Sequence, residues 1–329
     1  MFLVASIFAI FAVFLAICLV VFNIILSRKE ITSITTRAVF ITGCDTGFGN
    51  LLAKTLDAKG MKVFAGCLTE QGAIDLRALT SSRLKTVVID ITVKETVIKA
   101  LKFVQENLDE NGLWGVVNNA GVMPTFAPVE WTSMEEFQHV FNVNFFGSVF
   151  VTQKFLPMLR KSRGRLVNVC SVTSHCAYPG ITTYVTSKAA LKMFTVCLRR
   201  ELYNSGVTTH TIEPGGFNTN ITDKNRIANM VKSAYKQASP ELQTVYGGRI
   251  CKYLLDGIKM AGNYVSTRPQ MVADAMTHAL LSRNPQQRYI VGNDANVYFR
   301  ILSWIPDKAV DFILGWPAPY GQACEDLRP

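Results

Sequence analysis

Ala38-Val39-Phe40-Ile41-Thr42-Gly43-Cys44-Asp45-Thr46-Gly47-Phe48-Gly49 is an apolar run that ends in a glycine-rich turn, and Asn50-Leu51-Leu52-Ala53-Lys54 follows as a helix opening. Glycine lets a backbone approach a phosphate closely, and the free N–H groups and partial positive charge of a helix N-terminus hold an anion there. A glycine-rich turn alone also serves tight turns with no ligand nearby. The order strand, turn, helix is what points to a dinucleotide pyrophosphate.

Outward from this segment, apolar runs recur at Lys62–Ala65, Leu84–Ile89, Trp114–Val117, Arg165–Val169, Val207–Ile212 and Arg288–Val291. All but the last lead through turn residues into a longer stretch of helical period, the pattern of a parallel sheet covered on both faces. The predicted fold is therefore α/β, a doubly wound parallel seven-stranded sheet spanning residues 37–292.

Ligands of such sheets bind beyond the carboxyl ends of the strands. Asp90 follows the third run, Asn118-Asn119-Ala120-Gly121 the fourth, Ser171 the fifth and Pro214-Gly215-Gly216 the sixth. Asp90 and Asn118 would line the adenosine half of a dinucleotide, with helix caps and turns as the competing use of such residues. Tyr184 comes thirteen residues after Ser171, and Lys188 four after Tyr184, so the last two share one face of a helix. A nearby ammonium stabilises a phenolate, which lets a tyrosine act as a base below its usual pKa of ~10. Ordinary residue usage makes one chance Tyr-x-x-x-Lys in a chain of this length about as common as not. The pair gains meaning because every chemically useful group falls at the same sheet edge.

The two ends differ from the middle. From Phe2 to Leu26 only Ser6 and Asn23 are polar, giving ~25 residues where ~20 cross a bilayer. No basic residue precedes the run and no Ala-x-Ala-like site closes it, so residues 1–28 are expected to be an uncleaved membrane anchor rather than a signal peptide or a core helix. Arg28, Lys29 and Arg37 follow it, which places the bulk of a single-pass protein on the cytosolic side. Residues 293–329 form an apolar helical extension whose Ile305, Ala309, Phe312 and Trp316 recur at helical spacing. Arg300, Pro306, Asp307, Lys308 and Asp311 interrupt it, so it suits a membrane surface, a pocket wall or core packing rather than a second span.

Composition narrows the function. The chain of 329 residues is 49% hydrophobic with net charge +10, and its 34 basic residues are dispersed rather than clustered with aromatics. A membrane surface is a better partner for that charge than nucleic acid. Eight cysteines without C-x-x-C spacing and four histidines without ligand spacing predict reduced core thiols and no metal site. For each histidine a solvated or satisfied structural role is the favoured reading; His175, between Ser171 and Tyr184, is the one whose position also allows substrate contact. Residues 217–267 read as a lid over the sheet edge, with Met230, Val231, Tyr235, Tyr246, Tyr253, Leu254 and Leu255 as lining for a hydrophobic small molecule.

Taken together, Thr42–Gly49, Asn118–Gly121, Asn144 in Asn-Val-Asn, Ser171, Tyr184-x-x-x-Lys188 and Pro214-Gly215 resemble the short-chain dehydrogenase/reductases across residues 37–291. Gly43–Gly49, Ala65–Glu70 and Gly112–Gly121 are similar to the branch that holds microsomal retinol and hydroxysteroid dehydrogenases. The resemblance implies a Rossmann fold and a nicotinamide cofactor lined by Thr42, Gly43, Asp45, Gly47, Phe48, Gly49, Asp90, Asn118, Ala120, Gly121, Tyr184, Lys188, Pro214 and Gly215. It further implies that Tyr184 is the acid/base, that Lys188 lowers its pKa and binds the nicotinamide ribose, that Ser171 hydrogen-bonds the substrate oxygen, and that Asn144 holds a water linking Lys188 to solvent. An endoplasmic-reticulum location and a homodimer through the helices near Asn142 and Tyr184 are expected on the same ground.

Two departures bear on substrate: Cys170 stands where relatives often carry a second serine, and many retinol dehydrogenases space serine and tyrosine one residue closer. The Gly-Cys-Asp-x-Gly-Phe-Gly segment also resembles 3-hydroxybutyrate dehydrogenases, and a non-catalytic dinucleotide-binding scaffold is a further alternative. For the cofactor, a 2′-phosphate needs a basic partner near the glycine turn or the second strand. Cys44, Asp45, Cys67 and Leu68 supply none, and Asp45 repels a phosphate, so NAD is expected over NADP. The acid customary after the second strand is absent, with Gly66-Cys67-Leu68 in its place and Glu70 arriving late.

Overall fold

The computed structural model describes residues 27–110, 112–219 and 222–315. In it the first strand, β1 (Ala38–Thr42), is buried at every position. Val39 and Ile41 enter one hydrophobic core, while Ala38 and Phe40 enter another. A strand that alternates between two cores has helices on both faces, which explains why its sequence is continuously apolar. Phe40 stacks on Phe155 with ring centres 4.5 Å apart.

β1 leads into α1 (Gly47–Ala58), then β2 (Lys62–Cys67), α2 (Glu70–Ala78), β3 (Leu84–Val88), α3 (Lys94–Glu106) and β4 (Leu113–Asn118). The second half runs α4 (Met134–Phe141), a π-helical turn over Asn142–Gly147, α5 (Ser148–Ser162), β5 (Arg165–Val169), α6 (Thr182–Glu201) and β6 (Thr208–Pro214). It closes with α7 (Lys224–Gln237), α8 (Pro240–Tyr264), α9 (Gln270–Leu281), β7 (Arg288–Val291) and α10 (Asp307–Leu314). The strands form one seven-stranded sheet in the order β3-β2-β1-β4-β5-β6-β7, with every pair parallel. Residues of α1, α2 and α9 fill the core on one face, and residues of α3, α5 and α6 fill the other. The winding reverses between β1 and β4, and that switch opens a crevice at their carboxyl ends.

Two strands run two residues past the ends read from the sequence, and the other boundaries differ by at most one residue. β2 runs on through Gly66 and Cys67 because these continue the ladder with Val87 and Val88 of β3. β6 extends to Pro214, which pairs with Val291 as the last rung, where a missing N–H costs the ladder little.

The segment assigned as lid is helical, formed by α7 and α8. Val231, Tyr246 and Leu254 are buried, and Trp131 packs between the Tyr235 and Tyr246 rings at 5.6 and 5.4 Å. The Tyr246 hydroxyl bonds Glu130. Two of the residues expected to line a pocket, Tyr235 and Tyr246, therefore serve at least in part to seat the lid on the 129–131 turn.

Residues 1–26, the greater part of the expected anchor, lie outside the described residues. Among the described residues no helix is long and apolar enough to cross a membrane. The chain from Ser27 is fastened to the end of α9: Ser282 Oγ and the His278 ring contact the Ser27 carbonyl at 2.8 Å, and Ile31 N–H donates to Leu281 at 2.7 Å. At the other end α10 buries no residue, and Phe312 is 90% exposed, so the core-packing reading of that helix is set aside.

Candidate active site

The turn after β1 is held by hydrogen bonds from β4. Asn119 Nδ2 donates to the carbonyls of Thr42 and Gly43 at 2.9 Å, and Thr42 Oγ1 accepts from the N–H groups of Asn119 and Ala120 at 3.1 Å. Gly43 has φ +71°, and a Cβ there would stand 2.8 Å from the Ala120 Cα. At Gly49 a Cβ would meet Asn119 Nδ2 at 2.4 Å. These two glycines are thus required by close approach of backbone and side chain within the chain itself.

Gly47 is different. Its φ is +66° and a Cβ would meet nothing nearer than Thr219 at 4.0 Å, so the space above the start of α1 is open and a side chain would fill it. Thr46, which precedes the helix, makes no side-chain bond to its first N–H groups. An uncapped helix N-terminus beneath an open space fits a pyrophosphate.

Around that space the other predicted residues divide. Asp45 Oδ2 accepts from Leu68 N–H at 2.7 Å, and Asp45 Oδ1 accepts from Thr69 N–H at 3.0 Å and Thr69 Oγ1 at 2.7 Å, so its carboxylate occupies the start of α2. Phe48 packs edge-on against Phe217 at 5.7 Å. Asp90 Oδ1 accepts from the N–H and hydroxyl of Thr92, closing the turn that competes with a ligand role. The Asn118 amide is turned into the interior, donating to Thr152 Oγ1 at 2.9 Å and Asn168 Oδ1 at 2.8 Å. Its place at the strand end is as the sequence predicts, but its side chain braces α5 and β5 rather than facing the crevice.

Ser171, Tyr184, Lys188 and Asn144 come together beside β4 and β5. Ser171 is buried at the end of β5, and its Oγ accepts from Thr173 N–H at 3.2 Å and Thr173 Oγ1 at 2.9 Å. Ser171 is the neighbour whose hydroxyl acts on the Tyr184 phenol, favouring its ionised form. Lys188, one turn along α6, is 4% exposed; its Nζ donates to the Val169 carbonyl at 2.9 Å and lies 5.9 Å from the centre of the Tyr184 ring. Asn144 sits in the π turn fully buried, with Oδ1 accepting from Val122 N–H at 2.8 Å and Nδ2 donating to Ser187 Oγ at 3.1 Å. A Cβ on Gly121 would stand 3.2 Å from both Asn144 Oδ1 and Lys188 Nζ, so this glycine leaves the gap between them.

Burial sets the electrostatics of the pair. Desolvation pushes the Tyr184 phenol up to about 12 against the opposing influence of the Ser171 hydroxyl. It pulls the Lys188 ammonium down to about 8, with Cys170 opposing. The resemblance assigns Lys188 the lowering of the Tyr184 pKa; here desolvation sets the net direction upward, and the Lys188 Nζ bonds the Val169 carbonyl. Such a tyrosine holds its proton near neutral pH and can give it to an oxygen; acting as a base requires a further positive charge or a higher pH.

Sequence reasoning missed four residues. Thr173 fixes the Ser171 hydroxyl, as just described. Asp294, in the turn after β7, accepts from Gly216 N–H at 2.7 Å, and its carboxylate would lie 2.3 Å from a Cβ on Gly215. Pro214-Gly215-Gly216 is thus shaped by an acid far along the chain, with Gly215 N–H donating to Val291 at 2.8 Å. Glu213, fully buried, and Lys192 form a cluster with His175 and Arg288. Lys192 was within reach of the same spacing that links Tyr184 to Lys188, since it lies one turn further on; Asp294 carried no local signal.

Comparison with known proteins gives one consistent result. The family pattern described as short chain dehydrogenase matches residues 37–229. Retinol dehydrogenase 7 of Rattus norvegicus is 41% identical over 289 residues, covering 88% of this chain and 91% of that one. The human 17-beta-hydroxysteroid dehydrogenase type 6 is 40% identical over 294 residues, covering 89% and 92%. Among solved structures, a short-chain dehydrogenase from Streptomyces avermitilis superposes with TM-score 0.65 at 22% identity, covering 89% of this chain and 100% of that one, a likeness of fold.

Proposed function

The chain belongs to the short-chain dehydrogenase/reductase family, in the branch of the retinol and hydroxysteroid dehydrogenases, and on that premise we propose that it is a membrane-anchored NAD-dependent oxidoreductase of hydrophobic alcohols and their carbonyl products. The observation that supports this most directly is the convergence of Ser171, Tyr184, Lys188 and Asn144 next to the open helix start at Gly47. Thr42, Gly43, Gly47, Gly49, Ala120 and Gly121 would hold the dinucleotide at its pyrophosphate end, and Lys188, Pro214 and Gly215 at the nicotinamide end. When bound, the cofactor supplies the hydride acceptor or donor and, when oxidised, a positive charge that favours the Tyr184 phenolate.

The chain's own part is proton transfer and positioning. Ser171 Oγ holds the substrate oxygen, and Tyr184 Oη takes the hydroxyl proton in oxidation or gives one in reduction. Lys188 places a charge beside the ring, and Asn144 braces the strand end against α6 through Ser187.

NAD is favoured over NADP because Asp45 is itself the anion seated at the start of α2. A 2′-phosphate brought there would meet a carboxylate already using the amides that could hold it. Retinol or a hydroxysteroid is the proposed substrate class, as the names of the relatives suggest. Residues 1–28 are proposed as the anchor in the endoplasmic-reticulum membrane, residues 37–292 as the catalytic domain on its cytosolic side, with the 217–267 lid, and 293–329 as an accessory apolar extension.

The test is turnover of purified enzyme with NAD across retinol, a set of hydroxysteroids and 3-hydroxybutyrate. Activity on the lipid alcohols is expected. Turnover of 3-hydroxybutyrate alone would overturn the lipid reading, and dinucleotide binding without any turnover would leave a scaffold in its place.

A further inference from the structure

Glu213 is the last residue before Pro214-Gly215 and is completely buried, an expensive place for a carboxylate unless it is fully paired. Its oxygens receive the His175 ring through Nε2, Arg288 Nε at 2.8 Å and Thr211 Oγ1 at 2.9 Å. Desolvation raises its pKa, but the hydrogen bond from His175 and the charges of Arg288 and Lys192 outweigh it, so Glu213 is held ionised below its usual range.

Two of these partners belong to elements that carry the active site. His175 ends the turn that begins at Ser171, and Lys192, on α6 one turn beyond Lys188, places its Nζ 2.7 Å from the His175 ring nitrogens. With Nε2–H donating to Glu213, Nδ1 is the acceptor for Lys192, which fixes the ring's tautomer. The other end of the Ser171 turn is tied to the neighbouring residue of the same strand, because Cys170 N–H donates to the Ile212 carbonyl at 2.7 Å. Consecutive residues of β6 therefore clamp both ends of the segment that presents Ser171. If Glu213 only joined β6 to β7, Arg288 would suffice and no group from α6 would need to converge there.

We propose that His175 and Glu213 are positioning residues that lock the Ser171 turn against α6, setting Ser171 Oγ relative to Tyr184. The proposal rests on the assignment of Ser171 as the group that holds substrate oxygen. It also gives His175 a role other than the substrate contact its sequence position suggested.

The test compares His175→Leu, His175→Gln and Ser171→Ala in the full-length enzyme. Glutamine can donate to Glu213 and accept from Lys192, whereas leucine can do neither. His175→Leu is expected to lower kcat for retinol or hydroxysteroid oxidation about tenfold or more, the scale of a small misplacement, with the NADH dissociation constant unchanged. His175→Gln should recover most of that loss. Hydrogen exchange of the Ser174 and His175 amides, which donate to the Ser171 and Val172 carbonyls, should speed up in His175→Leu and not in His175→Gln or Ser171→Ala. Unchanged amide protection in His175→Leu, or a kcat loss that glutamine does not relieve, overturns the clamp. A kcat insensitive to Ser171→Ala instead removes the assignment on which it rests, and the exchange result still decides whether the clamp exists.

Discussion

Tyr184 and Lys188 are proposed to work together, and burial treats them in opposite ways, which makes their effects separable. If Tyr184 is the acid/base, replacing it by Phe removes only an oxygen, and turnover should fall at least ~10²-fold while NADH binding stays close to native. The phenol lies at about 12, so oxidation should speed up with pH while carbonyl reduction stays flat until pH approaches that value, measured as kcat/KM in each direction. Lys188 is a stability liability. Its folded pKa of about 8 lies below its usual 10.5, so between those values the unfolded chain keeps a proton that the folded chain has lost, and stability rises with pH across that window. Below about 8 the folded chain carries the whole cost. Lys188→Met should therefore inactivate the enzyme yet stabilise it by about 2 kcal/mol at pH 7, after allowing for the Val169 carbonyl left unpaired, with the gain shrinking as pH rises toward 10 in urea melts.

Elements show why some of the site was legible and some was not. The glycine turn, Ser171, Tyr184 and Lys188 were readable because each follows a strand end or a helical spacing, both local in sequence. Asn118 and Asp90 were placed correctly along the chain, yet no local pattern says whether an amide faces a crevice or a core; that is decided by Thr152 and Asn168, which other elements bring. Asp45 is the informative intermediate case. Its charge was read as unfavourable to a phosphate, but its seat on the amides of Leu68 and Thr69 at the start of α2 depends on β1 and β2 being neighbours. Asp45→Asn should raise NADPH affinity relative to NADH by about tenfold, read by fluorescence titration of each cofactor; an unchanged ratio would remove Asp45 as the discriminator. His210 illustrates pairing at the β6–β7 edge, where its ring contacts Thr208 Oγ1 and the Gln286 carbonyl. Burial takes its pKa down to about 4 from 6.5, so the unfolded chain binds a proton between those values and stability falls with acid across that window. His210→Gln should remove about 2 kcal/mol of that acid sensitivity in melts compared at pH 7 and 4.5.

At the scale of the whole molecule, the parallel sheet separates two activities that the sequence places far apart. Every proposed catalytic group lies at the carboxyl ends of the strands, whereas the chain that follows the apolar N-terminus reaches β1 at its opposite end, where Ser27, Lys29 and Ile31 are bolted to Ser282, Arg283 and Leu281 at the close of α9. A five-residue strand spans roughly 16 Å, so the proposed anchor would hold the sheet by the edge away from the chemistry. The segment after β7 starts from the catalytic edge, and Trp304 and Phe312 on it are 76% and 90% exposed. These two attachments should behave differently. Truncation should begin after residue 26 rather than 28, because Ser27 supplies the carbonyl that His278 and Ser282 hold, and losing it would loosen α9. The 27–329 protein should leave membranes on alkaline washing while keeping its turnover of a detergent-solubilised alcohol. If it instead stays with the pellet, the N-terminal run is not the sole anchor, and replacing Trp304 and Phe312 by Ser then asks whether the exposed C-terminal face is what retains it.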